Sequence, residues 1–493
     1  MYIKRFDKYG RQKDKEGLAI DSLTADVEQF TRIRDQLPSV IARAAGTGEN
    51  LYTQFQIPIP ACDLLSIRSA REFLPEKSFY WHVPAEDFEF LAGGTLAESR
   101  SAGPGRFRAA DRQYQRWMRR RVILPSGQDE QTVPFSLVSG AFFDSMTDEA
   151  WGQFAPMLLY LPEWVMVRTG GRYLAGINLE ISKSSSPDDI LDSLTRRLRN
   201  LESDPDGPRE EDFGGYSLSV NGQKQTWMNM VSSGVRAIRE HALDKVVVGA
   251  ATQVDLAGDL HVSRLLSDLA ENYPSCVTFA LREAAGDTFF GSTPEWLLRI
   301  SAGKVRCGAL AGSTLRSEDP AQDAQLGEAL LQNRKNLDEH AYVVQYITEK
   351  INHIASDVSV AARPQLQKLK NVQHLYTPIE GRLNTTLSPL QILEHFHPTP
   401  AVGGIPTDKA LQFIRELEQY DRGYFTGPTG WLSQDGDLDI AVGLRSALLH
   451  DRQVYVYAGA GIVKDSDPGD EYEERRLKLQ PILSALQHAA NHG

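Results

Sequence analysis

From Ala458 to Lys478 the chain reads AGAGIVKDSDPGDEYEERRLK, and here residue types and spacing point most directly to chemistry. Glu471, Glu474 and Lys478 follow one another at steps of three and four, which brings all three onto one face of a helix. Asp467 is placed to cap that helix, Pro468 takes the first helical position, where a missing N–H costs nothing, and acids fill the first turn. Two readings are open. Acids in a first turn stabilise the helix macrodipole, and Glu474 can pair with Lys478 across one turn. The same carboxylates can hold Mg2+, a hard cation that takes one or two carboxylates together with substrate. A calcium EF-hand is excluded: counted from Asp465, Gly469 falls fifth instead of sixth and Arg476 stands where the bidentate acid belongs.

Other candidates are scattered along the chain. Lys245 precedes three valines, where it is either a lysine snorkelling at a strand end or, desolvated, a base with a lowered pKa. Glu295, in GSTPEWLLRI, is a solvated turn acid or a carboxyl whose pKa is raised enough to serve as a general acid. Glu339 lies near the apolar stripe of a long helix and needs a partner there, which a metal shared with Glu474 would supply. His340 reads as a structural histidine. Arg445 falls in the strand LDIAVGLRSALL, where its planar fork suits either a structural partner or a bound carboxylate. Gly459 and Gly461 within a strand mark a bulge or a close approach to the backbone, and GALAGS at Gly308 to Ser313 has the same character.

The elements that must position these groups follow from periodicity. Helices are expected over Ser22–Ala45, with Pro38 interrupting late, around Trp151, over Gln223–Leu243, and as one long helix from about Gln322 to Ala355 with Val343, Ile347, Ile351 and Ile354 as its core stripe. Strands are expected at Phe135–Phe143, Trp164–Leu179, from Lys245, and at Cys276–Leu281, Trp296–Ile300, Val305–Ala309, Asp439–Leu448 and Val454–Val463. Without a regular βαβ beat, the fold class is α+β: largely antiparallel sheets packed as a core and surrounded by helices. SDPDGPREEDFGG at Ser203–Gly215 reads as a linker or a long loop, dividing residues 1–214 from 215–493 within what is expected to be one compact domain.

Composition bounds the function. The 493 residues, 41% apolar and 24% charged, suit a soluble globular protein, and no apolar run reaches membrane length. The charged start MYIKRFDKYGRQKDKEG argues against secretion, and three dispersed cysteines suggest neither disulfides nor a metal knuckle, so a reducing cytoplasm is expected. A net charge of −12 repels nucleic acid, so the seven arginines from Arg106 to Arg121 read as the solvated face of a helix that buries Trp117. An anionic ligand would need local cations.

Nine blocks, in order, resemble the chorismate-utilising enzymes and among them the isochorismate synthases: LDKVVVGA, GSTPEWLLR, GALAGSTLR, NRKNLDEH, HLYTPIEG, HPTPAVGGIP, RGYFTGPTGW, AVGLRSA and the stretch quoted first. The resemblance covers roughly Trp227 to Leu486. FYWHVPAEDFEFLAGG and the stretch from GAFFDS to LPEW are more loosely similar to the menaquinone and salicylate branch. The resemblance implies that Lys245 activates water to attack carbon 2 of chorismate while Glu295 protonates the hydroxyl leaving carbon 4. It implies Glu339 and Glu474 as direct Mg2+ ligands and Glu471 as a carboxylate acting through water. Arg445 and Lys478 match cations that hold substrate carboxylates, Gly312, Ser313 and Gly459 line the site, and His374 and Ala401 match positions beside the ring.

Asn336, three before Glu339, replaces an acid found in some relatives, while Gly249 and Thr429 are variants that touch no proposed role. Amine-transferring relatives, the large subunits of anthranilate and aminodeoxychorismate synthases, generally lack the lysine and the HPTPAVGG block; a salicylate synthase usually has threonine at the position of Ala401. The resemblance therefore implies an isomerase, monomer or homodimer, with no glutaminase subunit. Quinone, siderophore and salicylate pathways all remain open as its destination.

Overall fold

Alternation of apolar residues sets which face each strand presents, and the computed structural model shows two sheets meeting on those faces. It describes residues 27–65, 77–125, 133–201, 216–219, 223–258 and 260–491. Among these, strands assemble into a 13-stranded and a 10-stranded sheet. All pairings but one are antiparallel, the exception joining Leu51–Pro58 to Arg121–Pro125. In Ser78–Val83 and Val277–Arg282, residues Phe79, Trp81, Val277 and Phe279 point between the sheets, where they meet Leu137, Tyr160 and Trp431 of the smaller sheet. Their alternates Tyr80 and Ala280 face outward onto a second cluster, covered by helices such as Val262–Asn272 and Pro468–Asn491. The α+β class with helices outside a largely antiparallel core is as the sequence indicates.

Both sheets run through the whole sequence. Ser78–Val83 pairs with Val277–Arg282, and Pro134–Gly140 pairs with Pro428–Ser433. The boundary expected at 214/215, with its linker at Ser203–Gly215, lies outside the described residues.

Several elements differ from expectation. The helix expected over Gln322–Ala355 is two, Pro320–Gln332 and Arg334–Asn352. Asn333 separates them in an extended conformation (φ −74, ψ 111) and accepts from the Asn336 N–H, starting the second helix afresh. Trp164–Leu179 is a hairpin, Trp164–Thr169 with Arg172–Ile181, turned by Gly170 and Gly171 at φ 55 and 72, values that suit glycine. Around Trp151 there is a single short turn, Glu149–Trp151, rather than a longer helix. Pro38 does not end its helix, which is described over Val27–Thr47. Arg106–Arg119 is helical and buries Trp117 as expected, but Arg106 itself is buried, its guanidinium over the Phe107 ring.

Candidate active site

Where the chain leaves one sheet for the other, it delivers an acid at one crossing and a guanidinium at a second. Thr288–Thr293 belongs to the larger sheet and Trp296–Ser301 to the smaller, so Pro294 and Glu295 bridge them. The Glu295 N–H donates to Thr293 Oγ1 at 3.3 Å, and its carbonyl accepts from Val442 N–H at 3.0 Å. The return crossing runs from Leu438–Val442 through Arg445 into Ser446–His450. The Arg445 carbonyl accepts from Ser292 N–H at 3.2 Å, and its backbone takes φ 45, a left-handed conformation uncommon for a residue bearing Cβ.

Glu295 is 7% exposed. Burial pushes its carboxyl up to about 8, against the pull of the Lys245 and Lys478 charges, so it keeps its proton at neutral pH. Arg445 is equally buried, and burial holds its guanidinium below the ordinary value. Its Nη2 donates to His374 Nε2 at 2.8 Å, which leaves Nδ1–H of His374 to donate to Ser313 Oγ at 2.8 Å. Burial, then the charges of Arg445 and Lys478, keep His374 well below its usual value and therefore neutral. Among the described residues no carboxylate forms an ion pair with Arg445.

Three lysine–carboxylate pairs stand opposite. Lys245 opens the strand Lys245–Leu256 and is fully buried, its Nζ 2.9 Å from Glu339 Oε1. That approach needs glycine in the neighbouring strand: a Cβ on Gly461 would lie 2.4 Å from Glu339 Oε1 and 3.2 Å from Lys245 Cε. Glu339 sits one turn after Lys335 on Arg334–Asn352, and Lys335 Nζ lies 3.0 Å from Glu471 Oε1. Lys478 Nζ is 2.7 Å from Glu474 Oε1 and donates to the Gly459 carbonyl at 3.0 Å. Burial and the charge of Glu474 raise the Glu471 carboxyl, eased by Lys335. The helix carrying Glu471, Glu474 and Lys478 begins as the sequence indicates, with Asp467 Oδ1 accepting from Gly469 and Asp470 N–H.

His340 is structural: buried, it bonds the Ala311 carbonyl and Thr377 Oγ1 and so fastens this helix to the strand Lys304–Leu315. Within that strand the pairing slips between Leu310 and Ser313, and Gly312 takes φ 79 at the irregularity, which aims Ser313 at His374.

One cavity gathers the site. The resemblance assigns roles to Lys245 and eleven further residues; all eleven, from Glu295 to Lys478, line this cavity, while Lys245 lies behind its wall and reaches it through Glu339. Lys335 and Thr426 also line it and escaped the sequence reading. So did a buried clamp: Arg422 pairs with Glu418 at 2.6 Å and donates to the carbonyls of Val247 and Val402, two residues of the cavity wall. Glu418 Oε1 in turn accepts from Gly249 N–H at 2.7 Å, and a Cβ on Gly249 would lie 2.7 Å from Tyr420 Oη. Gly249 therefore has a structural role that the sequence did not reveal. The spacing of Arg422 from Glu418, one helical turn apart in sequence, and of Lys335 from Glu339 were the available signals.

Among the described residues no three His, Cys, Asp or Glu side chains are gathered in metal-holding geometry. The donor set nonetheless fits Mg2+, because Glu339, Glu471 and Glu474 offer hard oxygens to one cavity and such an ion needs only one or two of them beside substrate. In the structure each of these carboxylates has its charge met by a lysine.

A protonated carboxyl, a guanidinium without a counter-ion among the described residues and paired lysines in one cavity make this an enzyme centre on an α+β scaffold. Residues 39–487 match the family described as chorismate binding enzyme, and the chain belongs to that family. It is 32% identical over 461 residues to the salicylate biosynthesis isochorismate synthase of Pseudomonas aeruginosa, covering 92% of this chain and 94% of that one. It is 30% identical over 414 residues to the isochorismate synthase MenF of Bacillus subtilis, covering 83% and 87%. The solved structure of MenF, the menaquinone-specific isochorismate synthase from Escherichia coli, superposes with a TM-score of 0.73 at 27% identity, over 92% of this chain and all of that one.

Proposed function

We propose that this protein is an isochorismate synthase, converting chorismate to isochorismate reversibly. The observation that carries the reading is charge. Three cations line the cavity, Lys335, Lys478 and Arg445, with Lys245 behind its wall; set against three carboxylates and a protonated Glu295, they leave the buried Arg445 without a counter-ion among the described residues. An unpaired buried guanidinium is costly, and a substrate carboxylate relieves it. Arg445 and Lys478 would hold the enolpyruvyl carboxylate. Glu339 and Glu474, with Glu471 through water, would hold Mg2+; when bound, the ion neutralises the ring carboxylate.

Lys245, after giving up the ammonium proton that pairs it with Glu339, would accept a proton from water as that water forms the new bond to carbon 2. Glu295 gives its proton to the hydroxyl leaving carbon 4, and burial is what supplies that proton at neutral pH. The related names support isomerisation, and Lys245 and Ala401 favour it over amine transfer and over salicylate formation. The enzyme would act in the cytoplasm, as monomer or homodimer, without a glutaminase subunit. Among the described residues no helix is long and apolar enough to cross a membrane.

Lys245→Ala tests the assignment: turnover is expected to fall about 10²- to 10⁴-fold with chorismate binding retained, since the proton acceptor is lost while the carboxylate-binding cations remain. Full turnover in that variant overturns it.

A further inference from the structure

Glu471 is a carboxylate that burial forbids to stand alone. It is 3% exposed, and among the described residues its one ion pair is with Lys335, Nζ to Oε1 at 3.0 Å. The two come from different elements. Lys335 stands in the first turn of Arg334–Asn352, one turn before Glu339, and Glu471 in the first turn of Pro468–Asn491. Both line the cavity, together with Glu339 and Glu474. Burial works against the charge of Lys335, and Glu471, then Glu339 and Glu474, more than restore it. It therefore stays an ammonium, under the pull of all three carboxylates.

The three lysines of the site are not equivalent. Lys245 is fully buried and carries the proposed base role, while Lys478 donates to the Gly459 carbonyl besides meeting Glu474. Lys335 has no hydrogen bond or ion pair among the described residues except that to Glu471, and its side chain keeps 34% of its surface exposed. A long stem with one partner and a third of its surface in water can swing its charged head outward at little cost. The Glu471 side chain, 4% exposed, cannot follow it.

Two cations therefore claim one carboxylate: Lys335, through this ion pair, and the Mg2+ of the proposed reaction, which Glu471 would hold through water. We propose that Lys335 is a displaceable counter-cation of the metal site, which neutralises Glu471 between turnovers, competes with Mg2+ for that carboxylate, and withdraws toward solvent as the ion enters. The role is electrostatic, and no covalent bond forms or breaks. Its consequence is an affinity for Mg2+ set below what three carboxylates on one cavity would otherwise give. This inference rests on the Mg2+-dependent isomerase reading given above.

Lys335→Met keeps the stem and removes the charge. Titration of the chelator-treated protein with MgCl2, followed by calorimetry without chorismate, is expected to show about tenfold tighter binding in this variant than in wild type, because one positive charge no longer opposes the ion. Lys335→Arg keeps the charge and is expected to stay near the wild-type affinity. Arg334→Met removes an exposed cation from the neighbouring position, which does not line the cavity, and is expected to bind Mg2+ as wild type does. Should Lys335→Met not fold, Lys335→Gln carries the same test. Unchanged or weaker Mg2+ binding in the folded variant overturns the proposal, since a merely structural lysine would give that result. An equal gain in Arg334→Met also overturns it, because net charge alone would then account for the effect. Wild-type protein that takes up no Mg2+ even with chorismate, or leaves chorismate unchanged, sinks the isomerase reading itself and this role with it; that result needs no variant, so the two failures are distinguishable.

Discussion

Burial costs the ionised form of Glu295 more than Lys245 and Lys478 return, and its proton persists to about pH 8. Two consequences follow at the level of this one side chain. In the proposed role the acid form of Glu295 is the active one, so kcat/KM is expected to decline as pH rises through about 8, with Glu295→Gln reducing kcat about 10²- to 10⁴-fold at every pH. Stability should fall in the same direction. The folded value of about 8 exceeds the unfolded 4.5, so between these limits the folded state holds more protons and loses stability as pH rises, with the whole penalty present above 8. Glu295→Gln carries no such penalty and is expected to melt a few degrees above wild type at pH 9, but not at pH 4, in paired thermal scans. A wild-type alkaline limb absent below pH 10 contradicts the assignment. His374 shows the opposite use of burial: kept neutral, it accepts from Arg445 and donates to Ser313, so it orients the guanidinium without competing with it for an anion.

At the level of strands and helices, the site depends on a close approach between the strand Gln453–Ile462 and the pair formed by Lys245 and Glu339. Gly461→Ala places a methyl group 2.4 Å from the Glu339 carboxylate, so the pair must open. Turnover is expected to drop about 10²-fold with little change in melting temperature, read by steady-state kinetics beside a thermal scan; unaltered turnover would show that the pairing is dispensable. The helix Pro468–Asn491 could be read from Asp467 and Pro468 because caps are local. The break at Asn333 could not, since the apolar stripe from Val343 onward continues a pattern that does not register a single extended residue. Lys335 went unnoticed for a similar reason: a lysine on a helix reads as solvated until a buried carboxylate such as Glu471 is placed against it from elsewhere in the chain. The row of motifs gave the site's membership through resemblance, while local periodicity alone left Lys245, Glu295 and Arg445 each with a bland alternative.

On the scale of the whole molecule, periodicity could show that the sheets are antiparallel but not which strands are neighbours, because alternation names a face and no partner. The pairing joins both halves of the sequence: Ser78–Val83 and Pro134–Gly140 lie inside the two sheets, each between strands rather than at an edge. A chain beginning at residue 215 would bare Val277–Arg282 and Pro428–Ser433 as open edges, and is expected to aggregate or remain unfolded by size-exclusion chromatography and circular dichroism. A folded, monomeric fragment would show instead that the catalytic half is autonomous. The net charge of −12 repels anions at long range, whereas the cavity holds Arg445 without a counter-ion among the described residues and so attracts what the chain as a whole repels.

The central claim, that this cavity adds water to carbon 2 and releases a ring product with its enolpyruvyl group intact, is tested most directly by incubating the protein with chorismate and Mg2+, with and without ammonium, and separating the products by chromatography. Isochorismate, in equilibrium with chorismate and unaffected by ammonium, is the expected result. Salicylate with pyruvate, an aminated ring in the presence of ammonium, or unchanged chorismate would contradict it.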